Sequence, residues 1–210
     1  MRSARLLGPD VQAKIIEAVR AAESRTIGQI VPVVVERSDH YPEAPLRAAL
    51  LAAAMAAGIL YWVSDLGPSV SLLVIAGAAL LGVALALAAP PVRRRLIGGR
   101  LLDERVHQRA LRAFMEHGVY RTRGETGVLL FASLFERRVV ILGDRAIHEK
   151  MGETGWRQAV AALTSGLRQG EPEEGFVQAI RSVGEALAAS FPRSDTPGSN
   201  EISDDLRVDD

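Results

Sequence analysis

Three carboxylates and two guanidinium groups are the side chains that the sequence best equips for chemistry. Glu36, Asp39 and Glu136 are hard oxygen donors of the kind that hold a divalent cation such as calcium or magnesium. Arg137 and Arg138 carry the fork of N–H donors that suits a phosphoryl group. Glu36, Asp39 and His40 follow an apolar, β-branched run, and Glu136–Arg138 lie between two more apolar runs. With the first two runs as parallel strands of one sheet, both groups fall at the strands' carboxyl ends, where open α/β sheets bind ligands. A solvated charged rim with surface ion pairs is the plainer reading of the same residues.

Other chemistries find less support. His107 and His117 are ten positions apart, too far to share a ligand on one helix, and His148 stands alone near Asp144. These read as surface or capping residues. There is no Ser-His-Asp order, Walker loop, dinucleotide glycine pattern or His-Glu-x-x-His. The absence of cysteine excludes disulfides, thiolate catalysis and sulfur-ligated zinc. With 25 basic and 25 acidic residues the net charge is zero, which argues against a general nucleic-acid binder.

The positioning elements can be read in chain order. Val11, Ile15, Ala18, Val19 and Ala22 recur at helical spacing, with Asp10 as a cap. Gly28–Val35 reads as a strand apolar on both faces, and Pro32 suggests an edge or a bulge. A helix is expected from about Leu101 to His117, stopped by Gly118. Gly127–Leu134 and Arg138–Leu142 read as a β-hairpin with a charged tip. Two amphipathic helices follow, one capped by Thr154 with the stripe Trp156, Val160, Leu163 and Leu167. The other carries Phe176, Ile180, Val183 and Leu187. From Arg193 onward six acids stand beside two arginines among Ser, Pro, Gly and Asn, the composition of a flexible tail. Strands one and two flank a helical crossover and should run parallel; strand three should be antiparallel to strand two. The expected fold is α/β, a small mixed sheet with helices on its faces.

Within the crossover lies a different kind of segment. Ala48–Val63 and Leu66–Val92 carry no charge, and the core of the second, Val70–Ala89, spans about 30 Å as a helix, the thickness of a hydrocarbon core. Tyr61 and Trp62 sit where an interfacial aromatic belt is expected. This reads as a transmembrane hairpin with Arg47, Arg93, Arg94 and Arg95 as its flanking anchors. The connecting turn has no Lys or Arg, so the positive-inside rule places both termini and the domain in the cytoplasm. Met1–Arg5 precede Leu-Leu-Gly-Pro-Asp rather than an apolar region, so no cleaved signal peptide is expected. The expected organisation is residues 1–43 and 93–192 as one domain, 44–92 as the hairpin and 193–210 as the tail.

Three stretches resemble the TPM domain family, also labelled a phosphatase domain. Ala21-Ala22-Glu23-Ser24-Arg25-Thr26-Ile27-Gly28-Gln29-Ile30-Val31 resembles its helix-to-first-strand junction. Gly127–Phe131 followed by Glu136–Ile141 resembles its central hairpin, and Gly175-Phe176 with the following stripe resembles its last helix. The sequence looks most like the bacterial membrane branch, and Asn200–Leu206 also looks like that branch. The resemblance implies an α/β/α sandwich and a bacterial inner-membrane location. Relatives include acid phosphatases, calcium binders and accessory factors of membrane complexes. Three departures count against metal binding and hydrolysis: Gln29 stands where the family often has Glu, Phe135-Glu136-Arg137 has one acid where soluble members have two, and Gly143-Asp144-Arg145-Ala146-Ile147 replaces a Gly-x-Gly-Leu-Glu pattern.

Two functions are therefore expected. The first is an accessory or interaction module of a membrane assembly, with the bilayer and a membrane protein as partners. The second is a divalent-metal-dependent, acid phosphatase-like hydrolase at the membrane surface, using calcium or magnesium. A passive lipid-binding module built on the arginines is a weaker third.

Overall fold

The computed structural model describes residues 8–63, 66–122, 124–151, 156–193 and 202–209. Thr154, expected as a helix cap, Arg123, and Ser64 and Asp65 of the interhelical turn lie outside them. The chain divides into two compact units, Met1–Ser38 with Glu104–Asp210, and Asp39–Asp103.

In the larger unit, helix α1 (Pro9–Glu23) starts with proline at its first position, where a missing N–H costs nothing. Its Ile15, Val19 and Ala22 are buried as the spacing predicts. Strand β1 (Gln29–Val35) follows. After the second unit, helix α5 (Gly99–Glu116) leads through a 3-10 turn to β2 (Gly127–Ser133) and β3 (Arg138–Gly143). Helices α6 (Arg145–Met151), α7 (Arg157–Gln169) and α8 (Pro172–Ser190) complete the order, with a last strand, β4 (Arg207–Asp209).

The sheet order is β3-β2-β1-β4. β1 and β2 are parallel, with Ile30 opposite Val128 and Val35 opposite Ser133. β3 returns antiparallel to β2, pairing Ser133 with Arg138 and Val128 with Gly143. Side chains alternate between two apolar layers, as the pleat requires. Ile30, Val34, Val128, Leu130 and Ala132 meet α1, α7 and α8. Val31, Val33, Val35, Leu129 and Phe131 meet Val106, Ala110 and Ala113 of α5. Every residue of β1 and β2 is buried, which explains why both read as continuous apolar runs. The result is a mixed sheet with helices on both faces.

Two expectations need correction. β1 is an inner strand rather than an edge, but β4 pairs only with Val33–Val35. Pro32 therefore sits just before that pairing starts, where β1 has a strand neighbour on one side. The chain's end also differs from the expected flexible tail. Residues 202–209 lie against the sheet and supply β4, parallel to β1. Acidic, polar composition argued for a solvated tail, but the unsatisfied edge of β1 offers backbone partners that composition cannot reveal.

The second unit begins with helix α2 (Glu43–Val63), paired with α3 (Pro68–Ala88). Both are long and apolar enough to cross a membrane. Their apolar side chains point outward: Leu73 is 72% exposed, and Tyr61 and Trp62 are 85% exposed. The two helices approach closely at Gly82, where an added Cβ would stand 2.6 Å from the Ala48 carbonyl oxygen. Gly77 faces open space. A short helix, α4 (Pro90–Ile97), holds the arginine run and was not foreseen from the sequence.

Candidate functional site

The carboxyl ends of β1 and β2 and the tip of the β2–β3 hairpin form the charged rim of the larger unit. The tip is tied to the exit of β1 by the backbone: Leu134 N–H donates to the Val35 carbonyl at 3.1 Å, and Phe135 N–H to that of Glu36 at 2.9 Å. Glu136 is 1% exposed. Its Oε1 accepts the Ser38 backbone N–H at 2.9 Å, and its Oε2 accepts the hydroxyl of fully buried Ser133. The Ser38 hydroxyl donates to Ser133 Oγ at 3.0 Å, closing the network. Glu136 is thus a buried acceptor that fixes the β1 exit to the hairpin tip.

The other expected site residues are placed as follows. Glu36 is half-buried at the end of β1. Arg137 is exposed, with a left-handed backbone (φ 53°) that turns the tip. Arg138 is half-buried and opposes Ser133 across the strands. Asp39 belongs to the second unit, where its Oδ1 accepts the His40 N–H at 2.6 Å. Among the described residues, no group of three or more His, Asp or Glu side chains is arranged to hold a metal ion. Asp144 follows β3 and stands at the opposite end of the sheet from Glu136. The charged side chains of this rim are Glu36, Arg137 and Arg138, of which Arg137 is exposed.

The arginines flanking the apolar helices have partners within the second unit. Arg47 Nη1 donates to the carbonyls of Leu96 and Ile97 at 2.8 and 3.0 Å. It caps the last turn of α4, where carbonyls lack helical partners and the helix dipole favours a cation. Arg93 donates to the His40 carbonyl. Arg94 is half-buried and Arg95 exposed. The positive run thus also fixes α4.

A second polar cluster escaped sequence reasoning. Glu23, at the end of α1, is 8% exposed, and its Oε1 accepts the Ile30 N–H at 2.7 Å. Burial is the main cause that pushes its carboxyl up to about 8. The Ile30 N–H and Arg193 oppose the shift, while the charge of Asp204 and a hydrogen bond with it add to it. Asp204 also accepts from Arg20 Nε at 3.1 Å, and Gln29 Oε1 accepts the Ile202 N–H at 3.3 Å. The one legible signal was a charged residue, Glu23, adjoining the apolar stripe of α1.

This architecture defines a class: a mixed α/β sandwich unit with a two-helix apolar unit in its chain. A family profile described as the TPM domain matches residues 98–186, from the start of α5 into α8. The whole chain is also similar in fold to BA42 protein from the psychrophilic bacterium Bizionia argentinensis, solved by NMR. That similarity has a TM-score of 0.58 at 19% identity and covers 95% of this chain and 93% of the other. Among curated proteins, none matches this chain.

Proposed function

We propose that this protein is a TPM-domain module held in a bacterial inner membrane by α2 and α3, where it serves as an accessory or interaction subunit of a membrane assembly. The carrying observation is the exposed apolar surface of these two helices. Side chains such as Leu50, Leu73 and Leu80, all more than 60% exposed, would cost about 1.5–3 kcal/mol each to leave in water rather than bury. A bilayer removes that cost. The non-catalytic part of the reading is supported by Glu136, whose carboxylate is taken up by Ser38 and Ser133.

The chain lacks cysteine, so single-cysteine variants report topology directly. In intact cells, an impermeant maleimide should label Ser69→Cys in the first turn of α3 and spare Gln108→Cys in α5. Labelling of both, or recovery of the full chain in the soluble fraction, would refute the membrane reading. A photo-crosslinking residue at Leu73 should then yield a discrete protein adduct. Lipid adducts alone would remove the partner.

The alternative is a divalent-metal-dependent, acid phosphatase-like hydrolase at the membrane surface. Its support is the position of Glu36, Arg137 and Arg138 beyond the carboxyl ends of parallel strands. Calcium or magnesium would then raise the melting temperature as its concentration passes the dissociation constant. An unchanged melting temperature at millimolar cation would leave the accessory reading standing.

A further inference from the structure

Residues 202–209 join the larger unit through a short strand, one apolar side chain and a polar cluster that includes a titratable pair. β4 is three residues long and pairs with β1 alone. Leu206 is the apolar anchor, 8% exposed and packed in the core layer beneath α1, α7 and α8. The segment's polar contacts include Ile202 N–H to Gln29, Arg20 to Asp204, and Asp204 with Glu23. Two carboxyl groups in contact at a buried site cannot both ionise without strong repulsion. With a proton between them, Glu23 donates to Asp204 while its other oxygen keeps the Ile30 N–H.

We propose that segment 202–209 is a proton-held latch on β1: the protonated Glu23 carboxyl docks it through Asp204, and ionisation of Glu23 loosens it. The groups facing Glu23 come from each neighbouring element. Ile30 N–H comes from β1, Asp204 from the segment itself, and Arg193 from the chain after α8. Arg193 Nη1 also donates to the Glu23 carbonyl at 3.0 Å. Arg20 Nε donates to Asp204 at 3.1 Å on the other side of the pair. Opening uncovers the edge of β1 at Val33–Val35, where β4 pairs. The proton enters and leaves from solvent, and no covalent bond changes.

The sign follows from the exchange. Glu23 ionises normally once the segment leaves, so the closed form binds the extra proton. The latch is tightest below the ordinary carboxyl value and loosens as pH rises towards the closed-state value. In the full chain, amides of Ile202 and Arg207–Asp209 should lose protection at least about tenfold between pH 5.5 and 7.5, after correction for intrinsic exchange. Glu23→Gln supplies a permanent donor of the same shape and should hold protection constant over that range. Asp204→Ala should lower protection at both pH values while Leu129–Phe131 of β2 stay protected. Either of two results overturns the latch: the same pH response in Glu23→Gln, or equal loss of protection in β2 and β4, which would mark global unfolding. If Glu23→Gln fails to fold, Asp204→Ala decides: a flattened pH response of the Ile202 and Arg207–Asp209 amides supports the latch, and a response as steep as the parent's overturns it.

Discussion

The Glu136 carboxylate accepts the Ser38 backbone N–H at 2.9 Å, joining residues 98 positions apart. This one side chain fixes where β1 leaves the sheet relative to the β2–β3 tip. Glu136→Ala would leave the Ser38 N–H and the buried Ser133 hydroxyl without this acceptor, at about 2–4 kcal/mol. Thermal unfolding should show that loss. Glu136→Gln, which retains the Oε1 acceptor, should cost less than half as much. Equal losses would mean that the charge, and not the acceptor, matters there.

The closeness of α2 and α3 at Gly82 gives a second expectation. Gly82→Ala would place its Cβ 2.6 Å from the Ala48 carbonyl oxygen and 3.0 Å from Ala52 Cβ, so the helices must separate. The cost should be about 1–3 kcal/mol. Gly77→Ala, in open space, should stay within about 0.5 kcal/mol of the parent. The comparison is made by thermal unfolding in detergent.

Glu23 predicts how stability depends on pH. Its carboxyl lies at about 8 in the fold against an ordinary value of 4.5. The folded chain therefore binds more protons than the unfolded chain between those values, and stability falls as pH rises. The contribution is complete below 4.5 and lost through about 8, amounting to about 2–4 kcal/mol. Melting temperature measured from pH 5 to 9 should fall in the parent and flatten in Glu23→Gln.

Gly127 opens β2 against the 3-10 turn. A Cβ there would overlap the Val119 carbonyl oxygen. That contact involves backbone, which cannot swing aside as a flexible side chain can. Gly127→Ala should cost about 3 kcal/mol or more and lower the yield of folded protein. Gly58→Ala, with nothing within 4 Å, is the control and should be neutral.

Strands β1–β3, the main helices and the two apolar helices are legible in the sequence. Their signals are local: β-branched runs, stripes at helical spacing, uncharged spans and glycine stops each act within a few residues. The parallel β1–β2 pair and the β2–β3 hairpin followed from connection rules, because a long crossover and a short turn leave few options. What the charged residues do depends on partners that folding brings to them. Glu136 read as an exposed ligand because its neighbours Phe135 and Arg137 resemble a turn, yet burial beneath the tip makes it an acceptor for Ser38. Arg47 read as a headgroup anchor, and its partners are carbonyls about fifty residues later. Residues 202–209 read as a solvated tail by composition, and the open edge of β1 recruits them as a strand. In each case the deciding partner is distant in sequence, and burial and hydrogen-bond satisfaction are properties of the assembled fold.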